Sequence, residues 1–311
     1  MNGKSPLGGG TEISAGYPFE SVYVEVLGSR LHYVEEGEGD PILFVHGNPT
    51  WSYVWRNIIP YAAGRGRAIA LDLVGMGKSG KPDIEYRFID HAKYLEGFID
   101  KLGLRNLTLV VHDWGSALGL QYAARRPSNV RGIAMMEPML WIANLKDLPE
   151  PVRGTFTAFR TPGIGWDMVA KQNLVIERSL PAGIVRNLTE EEMARYREPF
   201  PNPESRKPVW RWTNEVPFDR QPRDVADAVE AYVKWLKGSD VPKLLFYGNP
   251  GQIVSADRVE WCRQNLANLS VVGIGPGRHF LQEDNPHLIG RELAKWYNGL
   301  SSNRRSNNSP A

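Results

Sequence analysis

The five consecutive residues His112–Ser116 (His-Asp-Trp-Gly-Ser) have the types and the spacing of a catalytic turn. They follow the apolar run Leu107–Val111 and precede a helical pattern of small and apolar residues. A sharp turn from a strand into a helix exposes the residue at its apex, and Gly115 is the small residue that such a turn needs. Asp113 stands at the apex, and a carboxylate is ionised at neutral pH. We therefore predict that Asp113 attacks a carbon that carries a leaving group, and that water then cleaves the resulting ester.

A histidine and a second carboxylate follow two other apolar runs. His279 comes soon after the run Leu269–Ile274, and catalytic groups of open α/β sheets gather beyond the carboxyl ends of strands. Glu137 ends the run Gly132–Met136, where a buried carboxylate is costly without a partner. We predict that His279 is the general base and that Glu137 orients and stabilises its imidazole.

Two residues near the predicted nucleophile can donate hydrogen bonds to an anion. Asn48 lies in the loop after the apolar run Ile42–Val45, and Trp114 directly follows Asp113. The amide of asparagine and the indole of tryptophan are neutral N–H donors. Together they would stabilise a departing anion and still allow it to leave, whereas a lysine or arginine would hold it more firmly.

Short apolar runs alternate with helical segments along most of the chain, which predicts a mostly parallel sheet with helices on both faces. This alternation stops between Pro138 and about Val241, where we predict a helical insertion that covers the site. The predicted core therefore consists of residues 17–137 and 242–298, with a cap of residues 138–241. The polar segments 1–16 and 299–311 are predicted to be flexible tails.

The composition excludes several classes of protein. The net charge of +2 gives no electrostatic argument for binding to nucleic acid or to a membrane surface. A single cysteine, Cys262, excludes an internal disulfide framework and a cysteine-based metal site. No apolar stretch approaches the roughly 20 residues that span a bilayer, and the N-terminus has no secretion signal. We expect a cytoplasmic enzyme.

One glycine-rich motif, Gly75–Gly80, has the spacing of a dinucleotide-binding turn. Such a turn must open directly into a helix, but Pro82 follows two residues later and would break that helix. The motif therefore does not predict nucleotide binding.

Together these motifs resemble those of the haloalkane dehalogenases in the α/β-hydrolase superfamily, in particular the branch whose catalytic acid follows strand six. The resemblance runs from about Gly16 to Tyr297. It implies an eight-stranded, mostly parallel sheet with a helical cap inserted after strand six. It also implies Asp113 as nucleophile, His279 as base, Glu137 as its acid, and Asn48 with Trp114 as the halide-stabilising pair. The matching segments are His46–Thr50, Tyr53–Asn57, Asp72–Ser79, His112–Ala117, Tyr196–Phe200 and His279–Pro286.

The resemblance implies a small halogenated aliphatic substrate, a halide product, no cofactor and no metal, in a monomer or a homodimer. Trp51, Gln252 and the segment Pro138–Trp141 depart from the usual pattern, and we expect all of them to affect the shape of the access tunnel. Six apolar residues are predicted to form the pocket walls: Leu148, Phe156, Phe159, Val175, Val216 and Ile253.

Three alternatives remain at this point. Epoxide hydrolases share the aspartate turn but need tyrosine donors in the cap, for which Tyr196 and Tyr232 are available. Coelenterazine-type luciferases of the same fold keep the same five residues. A catalytically silent receptor or scaffold with a hydrolase fold is the third alternative.

Overall fold

The computed structural model describes residues 12–307, with side chains described as far as residue 300. Eight strands form one sheet in the order β1-β2-β4-β3-β5-β6-β7-β8. The pairs β1–β2 and β2–β4 are antiparallel, and all other neighbouring strands are parallel, which confirms the predicted sheet. The strands are β1 (Val22–Val26), β2 (Ser29–Glu36), β3 (Pro41–Val45), β4 (Arg67–Leu71), β5 (Leu107–His112), β6 (Val130–Met136), β7 (Lys243–Pro250) and β8 (Leu269–Gly277).

The central strands are mostly apolar because both faces of the sheet are covered. In β3, Leu43 and Val45 pack into the core on one face, whereas Ile42 and Phe44 pack into the core on the other. Successive side chains of a strand point to opposite faces, so a continuous apolar run serves both cores. The carboxyl ends of β3, β5 and β6 therefore lie side by side at one edge.

Three α-helices lie between the strands before β6. They are α1 (Ile59–Ala63), α2 (Phe88–Lys101) and α3 (Trp114–Arg125). Helix α3 begins immediately after the residue at which the sequence places the nucleophile. A Cβ atom on Gly119 would meet the Val111 side chain of β5, so this glycine lets the helix pack closely against the sheet.

Helices fill the chain between β6 and β7, which confirms a helical insertion after strand six. The boundaries of the predicted cap, residues 138–241, stay a prediction. Helix α9 packs against α3 of the sheet domain. Two stretches, Asp167–Lys171 and Val175–Ser179, are π-helical. The α-helices are α4 (Glu150–Arg160), α5 (Ile164–Trp166), α6 (Leu180–Ala182), α7 (Glu190–Arg197), α8 (Lys207–Glu215) and α9 (Arg223–Gly238).

Three more helices follow: α10 (Ala256–Asn265), α11 (Leu281–Asp284) and α12 (Pro286–Asn307). Of the predicted tails, residues 1–11 and 308–311 lie outside the described residues, and α12 includes residues 299–307. None of the helices described is long and apolar enough to cross a membrane.

A buried cluster of charges joins the inserted helices to the sheet domain. The guanidinium of Arg56, which follows β3, donates to Glu283 of α11 at 2.5 Å and to Glu192 of α7 at 2.8 Å. The hydroxyl of Tyr196, also on α7, donates to Glu283. Arg186 bonds the same two carboxylates. Each buried charge in this cluster therefore has an opposite charge beside it, as burial requires.

Candidate active site

The turn between β5 and α3 has the sharp geometry that the sequence predicts. Asp113 has a backbone φ of +50°, a left-handed conformation that is uncommon for residues other than glycine. A Cβ atom on Gly115 would clash with the carbonyl oxygens of Val45 and His46, so only glycine fits there. The Ser116 backbone N–H and hydroxyl both donate to the Asp113 carbonyl oxygen, which holds the turn closed.

The structure brings Asp113, His279 and Glu137 together. The Nδ1 atom of His279 lies 3.3 Å from Oε2 of Glu137, and its Nε2 atom lies 3.6 Å from Oδ1 of Asp113. All three residues are buried, with Glu137 fully inaccessible to solvent. The histidine ring thus lies between two carboxylates, which is the geometry of a nucleophile, a base and an orienting acid.

The loop after β7 holds the Glu137 carboxylate through backbone hydrogen bonds. The backbone N–H groups of Gln252 and Ile253 donate to Oε2 at 3.2 and 2.5 Å, and that of Val254 donates to Oε1 at 3.1 Å. Glu137 itself has a left-handed φ of +45°. These donors are backbone groups, so their role at Glu137 could be recognised only from the fold.

The pKa values of the two partners move apart in the direction expected of an ion pair. Burial alone would raise the pKa of Asp113, but the hydrogen bond and positive charge of His279 outweigh it and hold that pKa below its usual value. Burial alone would lower the pKa of His279, but its bonds to Asp113 and Glu137 raise it to about 9. In the free enzyme at neutral pH, Asp113 is therefore a carboxylate and His279 an imidazolium.

The loop after β3 brings a second donor to Asp113. The backbone N–H of Asn48 donates to Oδ2 of Asp113 at 2.9 Å. This approach is possible because residue 47 is glycine: a Cβ there would clash with the Asp113 carboxylate. The Asn48 side-chain amide donates to the carbonyl of Val209 at 3.3 Å and has a second N–H to offer. His46 supports the loop, as it accepts the Leu73 N–H and lies 2.9 Å from the Gly47 carbonyl oxygen.

Trp114 lies in a column of three stacked rings. Its indole stacks on Trp212 of α8 with a centroid distance of 4.4 Å, and Trp212 stacks on His91 of α2 at 4.1 Å. In the part of the chain that the structure describes, the Trp114 indole N–H has no hydrogen-bond acceptor. The stack fixes the plane of the indole, so this N–H is available to a ligand. Nothing in the local sequence around Trp212 signals its contact with Trp114.

A cavity of about 510 Å³ lies above Asp113, beneath the inserted helices. Asn48, Asp113, Trp114 and His279 line it, and Glu137 lies behind His279. Met139 and Trp141, from the segment expected to affect the access tunnel, line it as well, and Trp212 and Arg258 are among the lining residues that the sequence did not single out. All six residues predicted to form pocket walls also line it: Leu148, Phe156, Phe159, Val175, Val216 and Ile253.

The structure corrects one expectation about the access tunnel. Trp51 does not line this cavity. Instead it is buried, stacks on Tyr53 with a centroid distance of 5.5 Å, and donates its indole N–H to the Arg195 carbonyl at 3.1 Å. The large Trp51 side chain therefore fills the space between the loop after β3 and the inserted helices. Gln252, in contrast, is exposed and does line the cavity.

Both tyrosines that an epoxide hydrolase would use are engaged elsewhere. The Tyr196 hydroxyl donates to Glu283, the Tyr232 hydroxyl donates to the Met139 carbonyl, and neither residue lines the cavity.

Between residues 12 and 307, no cluster of histidine, cysteine and acidic residues could hold a metal ion.

The glycine-rich turn after β4 binds a carboxylate of the chain itself. The backbone N–H groups of Lys78 and Ser52 donate to the Asp72 carboxylate at 2.8 and 2.7 Å. A Cβ on Gly77 would clash with that carboxylate. The close approach of this turn therefore serves a carboxylate of the chain itself.

Comparison with known proteins identifies the family. A sequence profile of the α/β-hydrolase fold matches residues 40–286. Haloalkane dehalogenases of Mesorhizobium japonicum and Bradyrhizobium diazoefficiens are 47% and 46% identical to the chain, over 88% and 90% of it and 89% and 94% of their own lengths. The crystal structure of the haloalkane dehalogenase DbeA from Bradyrhizobium elkani USDA94 is 45% identical, covers 91% of this chain and 99% of its own, and superimposes with a TM-score of 0.89.

These similarities confirm the resemblance drawn from the motifs, and they do not favour an epoxide hydrolase or a luciferase. With its fold and its relatives in agreement, the chain belongs to the haloalkane dehalogenases of the α/β-hydrolase fold.

Proposed function

We propose that this haloalkane dehalogenase hydrolyses carbon–halogen bonds through an alkyl ester on Asp113, with His279 as base, Glu137 as its acid, and Asn48 with Trp114 as halide donors. The observation that carries the proposal is the position of the His279 ring, 3.6 Å from the Asp113 carboxylate and 3.3 Å from that of Glu137.

In the first step, a carboxylate oxygen of Asp113 displaces halide from an sp³ carbon. The lowered pKa of Asp113 keeps this group ionised, so no base is needed to activate it. Negative charge develops on the departing halogen, where the Asn48 amide and the Trp114 indole donate neutral hydrogen bonds. The stacking of Trp114 on Trp212 supports this role, because the donor is oriented before the reaction begins.

Ester formation prepares the second step. Once Asp113 is alkylated, its negative charge is gone, and with it the largest of the interactions that raise the pKa of His279. The pKa of His279 therefore falls, which favours the neutral imidazole that can accept a proton. Glu137 keeps its contact with Nδ1 and stabilises the imidazolium when it forms again.

Water completes the cycle. His279 deprotonates a water molecule that attacks the ester carbonyl carbon of Asp113, and the C–O bond of that acyl group then breaks to release the alcohol. The Asn48 backbone N–H, which bonds the carboxylate in the resting enzyme, is in position to stabilise the tetrahedral oxyanion together with that of Trp114. Alcohol, halide and a proton leave, and no metal or organic cofactor takes part.

The cavity supports small aliphatic haloalkanes as substrates, because most of its wall is apolar. We propose in addition that the enzyme acts in the cytoplasm and is a monomer or a homodimer. Sedimentation velocity of the purified chain distinguishes these two states from larger assemblies.

The decisive test is halide release from 1,2-dibromoethane and 1-bromohexane by the purified protein. The matched control is Asp113→Asn, since asparagine keeps the shape of the side chain and tolerates the left-handed backbone but lacks the charge. We expect bromide from the wild type and a loss of at least a thousandfold in the initial rate of the variant. A folded wild type that releases no bromide would refute the proposal and direct the assay to styrene oxide and coelenterazine.

A further inference from the structure

An arginine forms part of the cavity wall in a way that the two-step reaction does not explain. Arg258 is the third residue of α10, and its side chain is partly buried. One of its guanidinium nitrogens, Nη1, donates to the Ile253 carbonyl at 2.6 Å. Its guanidinium carbon lies 4.7 Å from the centroid of the Trp141 ring, which also lines the cavity. The side chain is thus held in one position while most of its N–H donors remain unused.

This cation lies near enough to Glu137 to be affected by its charge, but it forms no ion pair with Glu137 or with any other described carboxylate. Among residues 12–300, no aspartate or glutamate forms an ion pair with Arg258, whereas the more deeply buried Arg56 has two carboxylate partners. Its position in the first turn of α10 makes the unpaired positive charge still less favourable, because the amino end of a helix carries partial positive charge. Burial lowers the pKa of Arg258, and the carboxylate of Glu137 opposes that change only in part. A desolvated, unpaired cation of this kind favours an anion from outside the chain.

The other charged residues of the cavity lie where the carbon–halogen bond would be broken. Apart from Arg258, Asp113 and His279 are the only ionisable residues among the described ones that line it. Glu137, and not Asp113, is the carboxylate that affects the pKa of Arg258. The guanidinium therefore lies away from the carboxylate that would receive the substrate carbon, and the rest of the cavity wall is mostly apolar. Beside Arg258, the exposed Gln252 adds an amide to this polar part of the wall.

We propose that Arg258 forms a subsite for a carboxylate at the end of the substrate remote from the halogen, so that ω-haloalkanoates are preferred over uncharged haloalkanes of the same length. The inference rests on the function proposed above and adds a substrate class to it. A guanidinium with free N–H groups matches the planar, two-oxygen geometry of a carboxylate, and bonds of this kind between charged groups are stronger than neutral ones.

The test compares each ω-bromoalkanoate, from 4-bromobutanoate to 8-bromooctanoate, with its own methyl ester, which has nearly the same shape but no charge. We expect kcat/KM of the wild type to favour the acid by about tenfold or more at the best chain length. Arg258→Met, which keeps the length of the side chain, should lower this ratio about tenfold. Arg258→Lys should retain part of it, because the positive charge remains.

The matched control is Arg263→Gln. Arg263 lies on the same helix, is half exposed and pairs with Glu260, so its substitution removes the same net charge without facing the cavity. Its acid-to-ester ratio should equal that of the wild type. A second measurement uses the wild type alone: sodium sulfate should raise KM for the acid and leave KM for the ester unchanged, because salt screens charge.

Two results would overturn the inference. One is an acid-to-ester ratio near one in the wild type at every chain length. The other is an Arg258→Met variant that loses activity toward acids and esters equally. This result would mean that Arg258 only stabilises the loop that donates hydrogen bonds to Glu137. A wild type inactive toward 1-bromohexane as well as all the acids and esters would instead refute the dehalogenase mechanism itself.

Discussion

The Nε2 atom of His112 lies 2.9 Å from the backbone carbonyl oxygen of His279. Burial and the nearby His279 lower the pKa of His112 to about 3, so its ring is neutral and Nε2 carries the proton that it donates. From the opposite side, the Gly183 carbonyl accepts the backbone N–H groups of His279 and Phe280. The main chain of the proposed base is thus fixed between the residue before the nucleophile and the inserted helices.

This contact predicts that His112 positions His279. In His112→Leu the donor is lost, and we expect ester hydrolysis to slow by about tenfold while ester formation changes less, since only hydrolysis needs the base. Quench-flow measurement of the halide burst and of the steady-state rate separates the two steps. His112→Gln, which can restore the donor, should recover part of the rate. An equal loss in both steps would indicate a purely structural role.

Removal of the base should trap the intermediate. In His279→Ala, and likewise in His279→Phe, Asp113 can still displace halide, but the ester has no base to activate water. We expect one equivalent of bromide per enzyme and an increase in intact mass equal to one alkyl group. Mass spectrometry after incubation with 1-bromohexane measures both the adduct and its location on the peptide that contains Asp113. Normal turnover by either variant would contradict the assignment of His279.

The halide donors should act in the first step. Trp114→Phe keeps a stacked aromatic ring against Trp212 but removes the indole N–H, and we expect ester formation to slow by about 10- to 100-fold. Bromide affinity, followed by quenching of tryptophan fluorescence, should fall as well. The burst rate under single-turnover conditions gives the kinetic effect. A variant with unchanged bromide affinity would remove Trp114 from the halide site.

The interactions of His279 with Asp113 and Glu137 make stability depend on pH. The pKa of His279 is raised from 6.5 to about 9, so the folded state binds a proton more tightly than the unfolded chain. The stabilisation is therefore fully present below about pH 6.5 and is lost as the pH rises through about 9. Its size is on the order of 3 kcal/mol, at about 1.4 kcal/mol for each unit of pKa.

Urea unfolding of the wild type and of His279→Phe between pH 6 and 10 measures this effect. Lys81 and Lys243, whose pKa values burial lowers to about 8, contribute in the opposite sense in both proteins. The informative quantity is thus the difference between the two free energies of unfolding, which should shrink as the pH rises. A difference that is constant across this range would show that the pair does not stabilise the fold.

Much of the fold could be predicted because its central strands are continuous apolar runs, which a buried parallel sheet requires. The ends of strands were less predictable. Strand β6 begins at Val130 rather than Gly132, with the charged Arg131 inside it. Strand β8 runs beyond the apolar run Leu269–Ile274, because Gly277 still pairs with Pro250 of β7. Such pairing depends on the neighbouring strand and not on local composition.

The catalytic candidates could be identified because each follows a strand or belongs to a short motif. The parts of the site that come from distant segments could not. Trp212 reaches Trp114 only because α8 folds over the sheet, and Arg258 resembles any other helical arginine until the cavity is seen. The three N–H donors to Glu137 come from backbone, which carries no signal in the sequence.

The buried ion cluster around Arg56 also affects how the protein unfolds. It fastens α7 to the sheet domain through Glu192 and Glu283, and loss of one partner of such a pair costs about 3 to 5 kcal/mol. Helix α7 is therefore held against the sheet domain, and we expect calorimetry to find a single cooperative transition rather than two. Substrate must enter, and alcohol must leave, through an opening whose width is set by side chains. Bulky substrates will consequently be limited by passage through that opening, even when their carbon–halogen bond is reactive.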